Sequence, residues 1–193
     1  MGAESFTTIG PHWNDELWHD QKSAFDHEIC AGLNRVYFHT FTCSPAEQGI
    51  PGQEYFAGTH VNPRVTWWSK SAPFIDYMHR VQMLAQEGTF VADVLYYYGD
   101  HVPNVYPFKH SDMPGAMFGF DYDVTDENIL MKLGVEDGDI VVPGGRRYKV
   151  LVLPDHRVLS LPVLKKLEML VKEGASVLGP KPQKAVSLSG GEK

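Results

Sequence analysis

The chain begins Met1-Gly2-Ala3-Glu4-Ser5-Phe6-Thr7, and the organisation of the remaining residues follows from this stretch. Small and apolar residues lead into one carboxylate, and a turn containing Thr7, Thr8 and Gly10 follows. A short parallel strand ends in this way when its last side chain points into an active site. Glu4 is therefore a candidate acid–base residue, partly desolvated among strand ends. The alternative is a solvated residue close to a chain terminus.

The next segments predict a parallel βαβ unit. A helix is expected from about Glu16 to Ala31, and the strand 35–42 follows it, rich in β-branched and aromatic residues. Because parallel strands share an orientation, Glu4 and His39 should lie at the same end of adjacent strands. Functional side chains of α/β folds emerge at that carboxyl end. The apolar stripe expected on the helix is Leu17, Trp18, Ala24, Phe25 and Ile29.

A long loop runs from Cys43 to about Ser71. A structureless segment of this length in a compact domain is usually functional. Its Trp, Tyr and Phe content argues against a disordered linker, and such aromatic clusters either pack in a core or line sugar-binding clefts. A helix from Pro73 to Gln86 is expected next, ended by Gly88. Its predicted apolar face is Phe74, Tyr77, Met78, Val81 and Leu84.

The pattern restarts after Gly88, so we expect two domains, residues 1–88 and 89–193. In the second, the buried strands 90–98 and 148–153 should lie side by side in one parallel sheet, separate from the strand 35–42. The tail after Pro180 has no periodicity. The other predicted elements are a helix 125–133 capped by Thr125 or Asp123, a hairpin joining Asp139–Val142 to Arg146–Tyr148, a helix between Ser160 and Gly174, and a third strand 175–179.

Neither predicted domain is complete. Three parallel strands with two helices make the first half of a doubly wound, flavodoxin-like sheet, which needs about five strands. The two strands and two helices of the first segment cannot close a core of their own. The sequence therefore predicts a chain that begins inside one domain and ends inside another.

Composition limits the partners of this chain. Its 193 residues carry a net charge of −7, which argues against nucleic acid and anionic membranes. We expect no transmembrane span and no signal peptide, because no long apolar run is present and no basic region precedes one. Cys30 and Cys43 form no pattern and are expected to be free thiols. Cysteine usage does not decide the cellular compartment, and a periplasmic or secreted full-length form is the expectation.

Taken together, these stretches resemble glycoside hydrolase family 106, the α-L-rhamnosidases. Each motif is short, but their order and spacing are specific, and the resemblance runs nearly end to end. The matching stretches are Ala3-Glu4-Ser5-Phe6-Thr7, residues 32–42, Gly58-Thr59-His60-Val61-Asn62, Thr66-Trp67-Trp68, residues 91–97, Asp121-Tyr122-Asp123-Val124, residues 148–154 and Gly179-Pro180-Lys181-Pro182.

The resemblance implies an α/β chain made of the C-terminal part of a (β/α)8 barrel followed by a partial flavodoxin-like doubly wound parallel sheet. It also implies an inverting reaction on terminal α-L-rhamnosyl linkages, in which two carboxylates flank the glycosidic bond. Glu4 would be one of them, and the other would lie upstream of Met1. Calcium near the substrate is implied by the resemblance alone, and its ligands stay unassigned.

Five other residues are candidates for substrate binding. His39 could bind a sugar hydroxyl or orient Glu4, or it could be a core histidine satisfied by backbone. His60 and Asn62 could bind sugar hydroxyls, with hydrogen bonding inside the loop as the alternative. Trp67 and Trp68 would point opposite ways in an extended segment, so only one could stack on sugar. Asp121 and Asp123 resemble a metal-ligand pair by type, although Asp-x-Asp before a helix more often caps it.

Three functions follow from these observations. The leading hypothesis is a fragment of an inverting α-L-rhamnosidase, inactive by itself, whose partner is a rhamnose-containing carbohydrate. The second is a non-catalytic carbohydrate-binding remnant of such an enzyme. The third is a nucleotide-binding flavodoxin-like module. The turn Gly99-Asp100-His101 disfavours it, because this turn lacks a glycine-rich phosphate cradle and carries an acidic residue.

Overall fold

A computed structural model describes residues 2–7, 9, 16–53, 55–58, 61–104 and 119–186. The chain forms two compact units, Met1–Gly88 and Thr89–Lys193. Both mix helices with parallel sheets, which confirms the α/β class. The barrel and flavodoxin-like assignments remain predictions. Within the described residues, no helix combines the length and apolarity needed to cross a membrane.

The first unit contains the expected βαβ arrangement. Strand β1 (Gly2–Ser5) and strand β2 (Arg35–Phe38) pair in parallel, with Glu4 opposite Tyr37 and Ser5 opposite Phe38. The connection between them contains a π-helical turn, Leu17–Gln21, that runs directly into helix α1 (Lys22–Cys30). The helical connection and the parallel pairing confirm the prediction.

The π-helical turn changes which residues α1 buries. The backbone N–H of Gln21 donates to the carbonyl oxygen of Glu16 at 3.2 Å, a five-residue step that widens the turn. Buried positions therefore recur at intervals of four, at Leu17, Gln21 and Phe25. Trp18 is 52% exposed and Ala24 is exposed too, so the predicted stripe was wrong at both positions.

Helix α2 (Ala72–Gln86) completes the core of the first unit. Phe74 and Met78 on this helix are buried against Phe6, Leu17 and Phe25. Residues 83–86 are exposed, so Leu84 does not belong to the buried face as predicted.

The second unit is built on a four-stranded parallel sheet whose strands lie in the order Val177–Leu178, Val150–Val152, Val94–Tyr97 and Tyr122–Thr125. The strand 94–97 pairs with the strand 150–152, which confirms the expected neighbours, and neither joins the sheet of the first unit. The elements are β3 (Val94–Tyr97), β4 (Tyr122–Thr125), α3 (Glu127–Leu130), β5 (Gly134–Glu136), β6 (Asp139–Val141), β7 (Arg147–Tyr148), β8 (Val150–Val152), β9 (Val158–Ser160), α4 (Leu161–Lys172), β10 (Val177–Leu178) and β11 (Lys184–Val186).

The helix predicted at 125–133 was wrong at its start, because Tyr122–Thr125 is strand β4. Helix α3 begins at Glu127, and its cap is Asp126, whose Oδ1 accepts from the Ile129 N–H at 2.9 Å. Pairing with β3 decides this outcome, since it satisfies the backbone groups of β4 along one edge.

The remaining elements combine confirmed and missed predictions. The hairpin β6–β7 is present, and β5 adds a third antiparallel strand that the sequence did not predict. Ser160 caps α4 by accepting from the Val163 N–H, and Gly174 follows the helix at φ +102°. The tail was predicted to be irregular, but β11 pairs in parallel with β9.

Candidate functional site

The carboxyl ends of β1 and β2 lie on one edge of the first unit. The His39 N–H, just after β2, donates to the Ser5 carbonyl oxygen at the end of β1, at 3.0 Å. Glu4 precedes that carbonyl by one residue. Glu4 and His39 therefore lie at the same end of adjacent parallel strands, as predicted.

Strand β1 is fixed by one face and presents Glu4 on the other. Ser5 is buried, and its hydroxyl donates to Oε2 of Glu28 on α1 at 2.6 Å. Glu4 points the opposite way because side chains alternate along a strand. It is exposed rather than partly desolvated, and Oε1 accepts from the Thr7 hydroxyl at 2.6 Å. The carboxylate is thus accessible and oriented by one neighbour.

The turn after Glu4 contains a strained residue. Phe6 has φ +65°, in the left-handed region that residues other than glycine rarely adopt. Its side chain is buried and stacks on Phe38 of β2 with ring centroids 5.3 Å apart. Packing against β2 and the core holds this conformation. Such a conformation typically costs about 1–3 kcal/mol, and residues that adopt one cluster at functional sites.

His39 is enclosed by the loop that follows it. Its ring meets Tyr55 edge-on, with centroids 5.5 Å apart. The Nδ1 atom is buried and has no hydrogen-bond partner in the described part of the chain. Gly58 lies so close that a β-carbon there would be 2.6 Å from Nδ1. His39 is therefore not a core histidine whose Nδ1 is satisfied by described backbone, and no described hydrogen bond joins it to Glu4.

Asn62 makes hydrogen bonds inside its own loop, which was the alternative to sugar binding. Its side chain is 3% exposed, and Oδ1 accepts from the Arg64 N–H at 2.9 Å. The Asn62 carbonyl accepts from Val65 at 3.3 Å, so side chain and backbone together form a turn. His60, the other polar candidate of this loop, lies outside the described residues.

The two tryptophans are not in an extended segment, so the argument that they point opposite ways does not hold. Trp67 has helical φ and ψ, and Trp68–Lys70 is a 3₁₀ turn. Trp67 is half-buried and packs against the core of the first unit. Trp68 is also half-buried, and its carbonyl accepts from the Ser71 hydroxyl at 2.7 Å. Packing thus accounts for Trp67, and the turn that Ser71 closes accounts for the Trp68 backbone.

Sequence reasoning missed the exposed aromatic pair next to His39. Tyr55 is 45% exposed and Phe56 is 67% exposed, with ring centroids 4.7 Å apart and planes at 50°. The following residue, Ala57, forms an antiparallel bridge with Ile9 in the segment after β1. The adjacent aromatics were visible in the sequence, but their exposure depends on loop packing and was not.

The second unit has a cavity of about 460 Å³ between β4 and the hairpin β6–β7. Asp123 lines it and accepts from the Tyr148 hydroxyl at 2.6 Å and from Arg146 at 3.3 Å. Burial, and then the Asp123 carboxylate, raise the pKa of Tyr148. Asp123 lies in β4 and caps no described helix, and the described residues contain no group of three or more His, Cys, Asp or Glu side chains that could hold an ion.

Asp100 lies in the turn Gly99-Asp100-His101 that follows β3. It accepts from the Tyr97 hydroxyl at 2.8 Å and from the backbone N–H of Ser160, the residue that caps α4. Burial, followed by Asp100, raises the pKa of Tyr97. A carboxylate of the chain itself therefore occupies a position at the start of a helix that would suit a phosphate, which disfavours the nucleotide-binding hypothesis.

Comparisons with known proteins show that the chain is similar to glycosidases. A profile of the glycoside hydrolase 106 family, described as alpha-L-rhamnosidase, matches residues 1–193. The chain is 40% identical over 188 residues to a protein of Formosa agariphila named "Putative beta-glucuronidase", covering 97% of this chain and 16% of that protein. The structure of a rhamnosidase from Novosphingobium sp. PP1Y matches with a TM-score of 0.83 and 32% identity, over 95% of this chain and 18% of that one.

Proposed function

The chain belongs to the glycoside hydrolase 106 family, the α-L-rhamnosidases, and we propose that it supplies one catalytic carboxylate, Glu4, to the hydrolysis of terminal α-L-rhamnosyl linkages. The chain spans only 16% and 18% of the two relatives described above, and we assign the activity to a longer protein that contains it. By itself the chain is a glycoside hydrolase segment that we expect to be inactive.

One observation carries the assignment of Glu4. The carboxylate lies exposed at the carboxyl end of β1, on the edge it shares with His39, and the Thr7 hydroxyl orients it. This is the end of a parallel sheet at which α/β enzymes place their reacting groups. The strained backbone at Phe6, two residues later, supports the same assignment.

The proposed reaction inverts the anomeric centre. Glu4 acts as the general base and takes a proton from the attacking water, while a second, protonated carboxyl group gives its proton to the leaving oxygen. Inverting enzymes hold these groups about 6.5–9.5 Å apart to leave room for that water. We assign the acid to a part of the full-length protein outside this chain. His39 is proposed to bind a sugar hydroxyl on the same edge.

Calcium stays outside the mechanism. The family resemblance implies it, but the described residues do not include three candidate ligands close enough to hold an ion. No step is therefore assigned to a metal, and no residue of this chain is proposed as a ligand.

A second candidate function is a non-catalytic carbohydrate-binding segment. The exposed pair Tyr55 and Phe56 favours it, because flat apolar rings bind the C–H faces of sugars whether or not a carboxylate reacts. The two functions differ in one respect: only the catalytic one requires the charge of Glu4.

The test is release of nitrophenol from an aryl α-L-rhamnoside by the full-length gene product. Glu4→Gln should lower kcat by a factor of about 10² or more, since general-base catalysis typically contributes this much. Glu173→Gln, which changes an exposed glutamate at the end of α4, is the matched control and should leave kcat unchanged. Undiminished turnover by Glu4→Gln would remove Glu4 from the mechanism, and turnover by the 193-residue chain would show that it is complete.

A further inference from the structure

We propose that Tyr55 and Phe56 form an aromatic platform that binds the apolar face of the pyranose ring beside Glu4. Nothing in the similarity to known proteins assigns these residues. The inference rests on the proposed function, because it names the group that holds the substrate of that reaction. It is carried by the exposure of the two rings, by their position and by their mutual geometry.

The exposure of this pair differs from that of scattered surface residues. Single exposed apolar side chains are common and need no explanation. Here two aromatic rings are adjacent, in contact at 4.7 Å, and 45% and 67% exposed. A contiguous apolar surface of this kind marks a binding site more often than an isolated residue does.

Contacts with the segment after β1 and with His39 after β2 fix the position of the platform. Ala57 is bridged to Ile9, in the segment that follows Glu4 and β1. Gly58 is packed against the carbonyl and ring of His39, and the Tyr55 ring meets the His39 ring edge-on. The platform therefore belongs to the same edge of the first unit as Glu4.

The geometry suits a pyranose. One face of such a ring carries C–H groups, which pack on a flat aromatic surface, while its hydroxyls point to the side. The two planes meet at 50°, so Phe56 can lie beneath the ring while Tyr55 forms a wall with a hydroxyl at its tip. A 6-deoxy sugar adds a methyl group to its apolar surface, so a rhamnosyl ring is the ligand that we assign to the platform.

The experiment measures KM and kcat separately in the full-length gene product on an aryl α-L-rhamnoside. Phe56→Ala should raise KM about tenfold and change kcat less, because burial of the sugar face contributes to binding before reaction. Phe56→Trp should restore KM, whereas Phe56→Leu, which keeps apolar bulk without an aromatic face, should not. Phe120→Ala, at a ring 52% exposed in the second unit, is the matched control.

The outcomes separate this proposal from the proposed function. Unchanged KM in Phe56→Ala, with normal turnover, overturns the platform and leaves the function intact. If the parent protein does not turn over rhamnosides, the proposed function fails, and the platform is tested by NMR titration of methyl α-L-rhamnoside and methyl β-glucuronide. Binding of either sugar that weakens about tenfold in Phe56→Ala but not in Phe120→Ala upholds it, and equal binding, or no binding of either sugar, overturns it. Circular dichroism establishes that each variant is folded.

Discussion

The backbone N–H of His39 donates a hydrogen bond to the carbonyl oxygen of Ser5 at 3.0 Å. This bond extends the parallel pairing of β1 and β2 by one residue and fixes two chain segments more than thirty residues apart. As a consequence, Glu4, Thr7 and His39 share one edge of the first unit.

The Thr7 hydroxyl should contribute to catalysis by orienting Glu4. Thr7→Val, which keeps the shape and removes the donor, is expected to lower kcat by roughly fivefold, the equivalent of about 1 kcal/mol for one hydrogen bond. Thr7→Ser keeps the hydroxyl and should stay close to the parent. Steady-state turnover of an aryl α-L-rhamnoside by the full-length protein is the measurement, and equal rates for the Val and Ser variants would contradict the role.

Gly58 should tolerate no side chain. A β-carbon there would collide with the His39 backbone and ring, in addition to the strain of a side chain at φ +95°. Gly58→Ala should therefore lower the free energy of unfolding by about 1–3 kcal/mol more than Gly32→Ala does. Gly32 has a similar φ of +98° but nothing within 4 Å of its β-carbon position. Denaturant unfolding of the two variants separates the collision with His39 from the backbone strain. Equal losses of unfolding free energy in the two variants would exclude the collision.

Asp100 should stabilise the second unit by tying β3 to α4. Asp100→Ala removes the acceptor of both the buried Tyr97 hydroxyl and the Ser160 N–H. An unsatisfied buried donor costs about 1–3 kcal/mol, so a loss of about 2 kcal/mol or more in unfolding free energy is expected. Asp155→Ala, at an exposed position, should change it by less than about 0.5 kcal/mol. Similar effects of the two substitutions would contradict this role for Asp100.

The cap of α3 should make stability depend on pH. The Ile129 N–H, followed by the Asn128 side chain, holds the pKa of Asp126 below its ordinary value of 3.8. A depressed folded-state pKa means that the stabilisation is fully present above that ordinary value and is lost as pH falls through the folded-state pKa.

Asp126→Ala should therefore cost about 1 kcal/mol at pH 7, and the difference from the parent should shrink under strongly acidic conditions. Asp126→Ser caps without a titrating group and should show no such convergence with pH. The measurement is the free energy of unfolding in urea, at pH 7 and under strongly acidic conditions, for the parent and both variants. A constant difference between the parent and Asp126→Ala across this range would show that the carboxylate is not the cap.

Several parts of the molecule were predictable from local sequence. The βαβ order around Glu4, the presence of strands at 94–97 and 150–152, and the Ser160 cap follow from periodicity and from residue preferences at helix ends. Such signals act over a few residues, and neighbours in the chain suffice to express them. The place of Glu4 at a strand end was visible for the same reason.

Other features depend on partners distant in the chain. Tyr122–Thr125 becomes a strand because β3 provides backbone partners, and 184–186 becomes one because β9 does. The burial of Asn62 and the exposure of Tyr55 and Phe56 arise from how the loop packs on His39. Local sequence thus determined the βαβ order and the Ser160 cap, whereas only the tertiary structure decided which further segments became strands and which side chains face solvent. Burial and interstrand hydrogen bonds are properties of residues brought together by folding, and no local pattern encodes them.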